Sequence, residues 1–181
     1  IKFSKTNIMV GYYSNTLTHG DDENVEIMLE DLVKIEDSTM IFTMPNADLG
    51  GKTIETKLRQ FCAKNNNAYF FENLGMQNYI SCLAQRNFLV GNSSSGTLEA
   101  PFLGCYTVNL GTRQKGRLQA NTILNVTPKV GEIYSLITEH NSLIANQGRP
   151  SANTLFGDGS ASEKIVSIIE SKISKINVRK S

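Results

Sequence analysis

One short segment of the chain holds the residue types best suited to binding chemistry. Residues 91–101 read GNSSSGTLEAP and follow an apolar stretch, residues 88–90, whose composition predicts a buried parallel strand. Where a strand runs through small polar residues into a helix, unpaired backbone N–H groups and the positive end of the helix dipole attract an anion. The segment therefore predicts a phosphate site on Ser93, Ser94, Ser95 and Gly96, which we call the serine turn.

Glu99 comes one turn after the serines and is unexpected there, because a carboxylate repels the phosphate that the serines attract. The conflict disappears if the ligand carries a vicinal diol beside its phosphates, since a carboxylate accepts two hydroxyl protons at once. A phosphate next to a vicinal diol describes a nucleotide.

Two well-known sequence motifs, the Walker A loop and the nucleophile elbow, are excluded by individual residues. A Walker A loop needs a lysine after its second glycine, but Thr97 follows Gly96. A G-x-S-x-G nucleophile elbow needs a second glycine where this chain has Ser95. A serine hydrolase would also have to take its base from His19 or His140, the only histidines of the chain. An ordinary serine and glycine turn that caps a helix stays open as an alternative.

A second segment, residues 111–117, reads GTRQKGR and contains Arg113, Lys115 and Arg117 without an acidic residue to balance them. This cationic loop follows the next predicted strand, and loops at the carboxyl ends of parallel strands meet at the ligand crevice of an open sheet. The serine turn and the cationic loop are therefore expected to face each other, which favours a diphosphate ligand. The alternative is that the cationic loop is a solvated surface segment.

Strand and helix signals alternate along the chain, which predicts an α/β fold with a mostly parallel sheet of about six strands. The predicted strands are residues 7–13, 39–44, 68–71, 88–90, 106–110 and 122–126. No helix is expected between the last two strands, where the cationic loop lies.

Helices are predicted from apolar residues spaced three and four apart. The first three would turn inward Val25, Met28, Leu29, Leu32 and Val33, then Ile54, Leu58, Phe61 and Cys62, then Met76, Tyr79, Ile80, Leu83 and Ala84. Two more are expected at roughly residues 130–146 and 160–176, the last with an apolar stripe of Ile165, Ile168, Ile169 and Ile176. Between them, Gly157, Asp158 and Gly159 predict a turn, because this G-x-G lacks the preceding strand and third glycine of a dinucleotide fingerprint.

Composition narrows the class of protein. The 181 residues can form one well-buried core, so a single domain is expected. Lysine plus arginine (18) nearly balances aspartate plus glutamate (17), which argues against a nucleic-acid partner. No apolar run approaches the ~20 residues that span a bilayer, so no membrane association is expected. Cys62, Cys82 and Cys105 lack metal-site spacing and predict buried free thiols in a cytoplasmic protein without a metal site.

Four segments, in the same order along the chain, resemble the hydrolysing UDP-N-acetylglucosamine 2-epimerases. They are residues 45–48 (PNAD), 91–101, 109–117 (NLGTRQKGR) and 155–159 (LFGDG). The resemblance covers nearly the whole chain. It implies a Rossmann-like three-layer sandwich that is one lobe of a GT-B fold. Residues 1–181 would be the single C-terminal, nucleotide-binding lobe, and the N-terminal lobe would be absent from this chain.

The same resemblance implies roles for individual residues. Those for nucleotide binding are Ser93 and Ser94 for the diphosphate of UDP, Glu99 for the ribose diol, Arg113 for the phosphate charge, and Leu74 and Gly75, whose backbone would meet the uracil edge. In this family UDP is eliminated to leave a glycal, and water then adds to give N-acetylmannosamine for the biosynthesis of sialic-acid-type sugars. No metal or cofactor is implied. The implied partners are UDP, a UDP-N-acetylhexosamine and the protein's own N-terminal lobe, with a homo-oligomer left open.

One position departs from the family pattern. The family carries a His-Pro-x-Thr element after the first strand of this lobe, whereas this chain reads Tyr13-Ser14-Asn15-Thr16. Tyrosine is a poor base at neutral pH, since its ordinary pKa is about 10 and that of histidine about 6.5. The catalytic residues are therefore left unassigned, and the isolated lobe is expected to be inactive. Two other functions stay open: the donor lobe of a GT-B glycosyltransferase, and a nucleotide-binding relative that has lost catalysis.

Overall fold

The computed structural model describes residues 1–14 and 21–173 of the chain. Within that part, six parallel strands form one sheet in the order β3-β2-β1-β4-β5-β6. The strands are β1 (Thr6–Gly11), β2 (Ser38–Thr43), β3 (Ala68–Phe71), β4 (Phe88–Gly91), β5 (Tyr106–Leu110) and β6 (Ile123–Val126). The predicted α/β class is confirmed. The sequence predicts a mostly parallel sheet, and all of these strand pairs are parallel.

Helices connect consecutive strands everywhere except between the last two. They are α1 (Asp21–Leu32), α2 (Gly51–Lys64), α3 (Gly75–Ala84), α4 (Glu99–Phe102), α5 (Glu132–Gln147) and α6 (Ala161–Lys172), with a 3-10 turn at Ser94–Gly96. The cationic loop joins β5 to β6 without a helix, as predicted. The predicted end of α6 at Ile176 lies outside the described residues.

One side of the sheet, which we call the packed face, is covered by α1, α2 and α5. Alternate strand residues point to it, because successive side chains of a strand lie on opposite faces. Ile8, Val10, Phe42 and Val90 are fully buried there against apolar residues of the three helices. Asp31 of α1 is also fully buried. Its carboxylate accepts backbone N–H bonds of 2.7 to 3.3 Å from the first turn of α5, so it joins the two helices.

The opposite side, the open face, carries α3 and α4 over a smaller buried core. That core consists of Met9, Leu83, Leu89, Ala100 and Cys105. Cavities of about 450, 320 and 350 Å³ adjoin α3 on this face. Arg86 follows α3 and is fully buried, yet its guanidinium nitrogens have no hydrogen-bond partner in the part of the chain that is described. The guanidinium lies 4.4 Å from the ring centroid of Phe3, and burial lowers its pKa.

The three cysteines are free thiols, as predicted, but only Cys105 is fully buried. Burial raises the pKa of the Cys105 thiol to about 12. Cys62 lies at the edge of the packed face, where burial raises its pKa to about 11. Both thiols therefore stay protonated near neutral pH.

Two predictions of inward-facing side chains are wrong. Val33 follows the last residue of α1 and is 53% exposed, because the helix ends before its side chain can turn inward. Met76 stands in the first turn of α3 and is 78% exposed at the rim of a cavity. On α6, Ile165, Ile168 and Ile169 form the predicted stripe but are 56, 56 and 49% exposed. None of the helices in the described ranges is both long and apolar enough to cross a bilayer.

Candidate functional site

The candidate site lies where the order of the strands reverses, between β1 and β4. Successive strands run outward from β1 on one side of the sheet and from β4 on the other, and a crevice forms at such a reversal. Gly91 brings the two strands close together at this point. A Cβ atom there would lie 2.2 Å from the Gly11 carbonyl oxygen, and the φ of +129° also favours glycine. The segments that follow the two strands are therefore held side by side.

The serine turn follows β4 and is closed by its own hydrogen bonds. The backbone N–H of Ser95 donates to the side-chain oxygen of Ser93 at 3.3 Å, and that of Gly96 donates to the Ser93 carbonyl at 3.1 Å. Within the described residues, the backbone N–H groups of Ser93 and Ser94 have no hydrogen-bond partner. Two amides and the serine hydroxyls are thus available to an anion.

Gly96 fixes the turn against the next strand. The Thr107 hydroxyl of β5 donates to the Gly96 carbonyl at 2.8 Å, and a Cβ on Gly96 would approach Cγ2 of Thr107 to 2.5 Å. Glycine is therefore required here for packing. The helix beyond the turn, α4, has four residues. A helix this short supports little macrodipole, so the amides and hydroxyls of the turn must attract the anion, which corrects the dipole part of the prediction.

Asn92 is the residue that joins the parts of the site, and the sequence pattern does not predict this. It is almost fully buried, and its side chain makes two hydrogen bonds of 2.7 Å with the backbone N–H and carbonyl of Tyr13. Its own carbonyl accepts bonds from Arg113 Nη1 at 3.1 Å and from Gln114 Nε2 at 2.8 Å. The segment after β1, the serine turn and the cationic loop are thus bonded to one residue.

The predicted approach of the cationic loop to the serine turn is confirmed for one of its three cations. Arg113 reaches the Asn92 carbonyl, and its guanidinium carbon lies 5.3 Å from the ring centroid of Tyr13. All three cations are exposed, and within the described residues only Arg113 makes a hydrogen bond to this site. Gln114, which the sequence pattern also does not single out, is buried beneath the loop. Arg113 is the cation that this loop holds next to the serine turn.

A cavity of about 320 Å³ has Tyr13, Leu74, Gly75, Tyr79 and Glu99 among its lining residues, and Glu99 follows the serine turn by three residues. Oxygen Oε2 of Glu99 is buried and has no hydrogen-bond partner among the described residues. A buried carboxylate oxygen without a donor is costly unless a ligand supplies one.

The uracil contact is predicted at the backbone of Leu74 and Gly75, and one of these two backbone N–H groups is free within the described residues. The Gly75 N–H is already bonded to the side-chain oxygen of Asn73 at 2.7 Å. The Leu74 N–H has no partner among the described residues. Of these two backbone groups, only the N–H of Leu74 is available to a base.

Among the described residues, no histidine lines this cavity. His140 lies on α5, where its ring contacts Tyr106 at a centroid distance of 4.8 Å and its Nδ1 lies 2.9 Å from the Leu136 carbonyl oxygen. That helix covers the packed face, on the other side of the sheet from α3. His19 lies outside the described residues. In the ranges that the structure describes, no three His, Cys, Asp or Glu side chains come together as a metal-ion site.

An open parallel sheet with this strand order and this crevice defines a Rossmann-like α/β lobe with a candidate anion site. The family model described as UDP-N-acetylglucosamine 2-epimerase matches residues 4–170. The chain belongs to this family.

Two curated relatives carry the hydrolysing form of the activity in their names. A GDP/UDP-N,N'-diacetylbacillosamine 2-epimerase from Campylobacter jejuni is 35% identical over 127 residues, or 69% of this chain and 33% of the relative. A UDP-N,N'-diacetylbacillosamine 2-epimerase from Legionella pneumophila is 24% identical over 151 residues, or 82% of this chain and 39% of the relative. The chain thus spans well under half of either relative.

Solved structures share the fold. MnaA of S. aureus, in a structure with UDP, matches with a TM-score of 0.69 at 17% identity, over 98% of this chain and 49% of that one. UDP-GlcNAc 2-epimerase from Neisseria meningitidis, bound to UDP-GlcNAc, matches with a TM-score of 0.72 at 16% identity, over 92% of this chain and 45% of that one. The present chain is similar to just under half of each structure.

Proposed function

We propose that this chain is the UDP-binding lobe of a hydrolysing UDP-N-acetylglucosamine 2-epimerase. The observation that carries the proposal is the position of Arg113, whose Nη1 lies 3.1 Å from the Asn92 carbonyl, one residue before the serine turn. A guanidinium near two amides that have no partner among the described residues, and near several hydroxyls, suits a diphosphate, because each of these groups donates to phosphate oxygens.

The other end of the cavity suits a nucleoside. Glu99 offers a buried oxygen that has no donor within the described ranges, and the two ribose hydroxyls would satisfy it. The Leu74 N–H, on the lining of the same cavity, would donate to a uracil oxygen. The proposed binding residues are Leu74, Ser93, Ser94, Ser95, Gly96, Glu99 and Arg113, together with Gly75, which lines the cavity next to Leu74.

In the proposed reaction this lobe stabilises the leaving group. When the bond between the sugar and UDP breaks and C2 of the sugar loses its proton, negative charge develops on the departing diphosphate. Donors that are already in place at Arg113 and the serine turn lower the energy of that state more than that of the bound substrate. Water then adds to the glycal to give the 2-epimer of the free sugar, which in the case of UDP-N-acetylglucosamine is N-acetylmannosamine.

The groups that move protons are proposed to lie on a second, N-terminal lobe. The length of the relatives leaves room for it, since the chain covers 33% of the Campylobacter jejuni enzyme. The exposed isoleucines of α6 support the proposal, because an apolar helix face of that kind is normally covered by another part of a protein. The lobe by itself would bind UDP weakly and catalyse no turnover.

Calorimetric titration of the chain with UDP tests the proposal. Wild-type protein should bind UDP saturably, and added salt should weaken the binding because the contacts are ionic. Arg113→Ala should weaken it roughly 10- to 100-fold, the usual range for a hydrogen bond to a charged group. Release of UDP from UDP-N-acetylglucosamine by the isolated chain would contradict the two-lobe reaction.

Lys115→Ala is the matched control, because Lys115 is an exposed cation two residues further along the same loop. It should change the UDP affinity less than about threefold, as expected for an exposed charge. If both variants lose affinity equally, a diffuse positive field rather than a specific contact would explain binding. If wild-type protein does not bind UDP at millimolar concentrations, the proposed function is wrong.

A further inference from the structure

The helical spacing of α3 indicates that Tyr79 points inward as an apolar residue. Tyr79 also lies at the proposed site. Its ring packs against the open-face core that includes Met9 and Leu89, in agreement with that spacing. The same side chain lines the 320 Å³ cavity together with Tyr13 and Glu99. The ring of Tyr79 therefore packs in the core, while the same side chain brings a hydroxyl group to the cavity.

The phenol of Tyr79 remains a hydrogen-bond donor at ordinary pH. Burial raises its pKa above the usual value of 10.0, and hydrogen bonding to the Ser95 and Ser93 side chains acts in the opposite direction but is weaker than the effect of burial. The charge of Glu99 also reaches this phenol and favours its protonated form. Tyr79 thus lines the same cavity as Glu99, and the side chains of Ser95 and Ser93 are neighbours of its hydroxyl.

That location matters for a nucleotide bound as proposed above. Glu99 would hold the ribose diol, and the serine turn with Arg113 would hold the far end of the diphosphate. The α-phosphate is the group that connects these two parts, so it must pass between Glu99 and the serine turn. A neutral donor suits this place better than a second cation, because it adds a bond without attracting the Glu99 carboxylate.

We propose that the Tyr79 hydroxyl donates a hydrogen bond to the α-phosphate of the bound nucleotide. The inference rests on the proposed function and adds a binding residue to it. It also assigns that residue to one phosphate: uridine, UMP and UDP share the nucleoside, but only UMP and UDP carry the α-phosphate.

Titration of wild-type chain and Tyr79→Phe with uridine, UMP and UDP tests this assignment. The substitution removes one oxygen and keeps the ring that packs against the core. UMP and UDP should each bind about tenfold more weakly to the variant, in line with one lost bond to a charged group, and uridine should bind equally to both proteins. Tyr134→Phe, on α5 at the packed face, is the matched control and should change none of the three affinities.

The phosphorus NMR shift of bound UMP provides a second measurement on the same variants. It should differ between wild type and Tyr79→Phe and agree between wild type and Tyr134→Phe. Unchanged UMP affinity, equal loss for uridine, or loss for UDP alone would each overturn the inference while leaving the proposed function standing. Failure of wild-type protein to bind UDP would instead overturn the proposed function itself.

Discussion

The packed face and the open face cover the same six-stranded sheet in different ways. On the packed face, three helices bury a large apolar core, and a buried carboxylate ties α1 to α5. On the open face the buried core has five residues and cavities adjoin α3; α6, whose isoleucines are exposed, borders one of these cavities. We infer that stability comes mainly from the first face, which leaves the second free to accept a ligand and another lobe. Five predictions test this difference.

The largest effect is expected for Phe42→Ala. Phe42 is fully buried on the packed face, where its ring lies 5.4 Å from that of Phe61. Removing it should lower the free energy of unfolding by about 3–5 kcal/mol, measured by urea denaturation. Phe102→Ala, at a 43% exposed position on the open face, should cost less than about 1 kcal/mol. Equal losses would mean that the two faces are packed alike.

Asn92→Ala should give the next largest effect. It leaves the backbone N–H and carbonyl of Tyr13 without the two 2.7 Å bonds that they now make. We expect a loss of roughly 2–3 kcal/mol in unfolding free energy, together with weaker UDP binding. Asn141→Ala, which removes one 2.9 Å bond to Thr6 on the packed face, should lower stability by about 1 kcal/mol and leave UDP binding unchanged. A variant Asn92→Ala that binds UDP normally would contradict this role.

Alkaline pH should destabilise the open-face core through Cys105. Its pKa is raised from 9.0 to about 12, so the folded protein keeps a proton that the unfolded chain releases. Stability should therefore be unaffected below pH 9 and fall as pH rises toward 12, by up to about 1.4 kcal/mol per pH unit. The unfolding free energies measured by urea titration at pH 7.5 and at about pH 10.5 should differ by about 2 kcal/mol because of the Cys105 thiol. Cys105→Ala should remove that difference. If the variant shows the same loss, other groups cause it.

Unlike the preceding substitutions, Arg86→Met should not lower the free energy of unfolding. The guanidinium is buried, its nitrogens have no hydrogen bond of normal geometry in the described part of the chain, and its neighbours are the Phe3 ring and the uncharged Cys82 thiol. An apolar side chain of similar length removes the cost of burying that charge, so stability should rise by about 1 kcal/mol or stay unchanged. Arg59→Met, at an exposed arginine of α2 that pairs with Glu55 and Glu72, should not stabilise the protein. A large loss for Arg86→Met would show that the buried charge has a partner.

The smallest effect is expected for Ile168→Ser. Ile168 is 56% exposed on α6, so the substitution should change the unfolding free energy of this chain by less than about 0.5 kcal/mol. In a protein that also contains the proposed second lobe, the same substitution should weaken the contact between the lobes, visible as a lower melting temperature. Equal melting temperatures of substituted and unsubstituted full-length protein would argue that α6 does not contact a second lobe.

The sequence predicts the strands closely where apolar runs end at clear turn residues. The observed bounds of β3 and β5, Ala68–Phe71 and Tyr106–Leu110, are those expected. The approach of the cationic loop to the serine turn is also predictable, because the two segments follow consecutive parallel strands. The spacing of α6 predicts an apolar stripe, but it carries no information about what lies against that stripe.

The contacts of Asn92 and Tyr79 could not be predicted, for a physical reason. Asn92 bonds to Tyr13, 79 positions earlier, and to Arg113, 21 positions later. Hydrogen bonds over such separations follow from the order of strands in the sheet, and no local pattern encodes them. For Tyr79, helical spacing indicates the direction of the ring but says nothing about a hydroxyl at its end.

Arg113 uses one of its N–H groups on the backbone of Asn92 before any ligand arrives. Fixing a free arginine side chain costs up to about 2 kcal/mol of rotamer entropy. In the folded protein the Arg113 side chain is already partly restricted, so binding a ligand costs less of this entropy. Such a preorganised site needs little rearrangement on encounter, so nucleotides that share a diphosphate should associate at similar rates. Differences in affinity among them should then appear as differences in residence time.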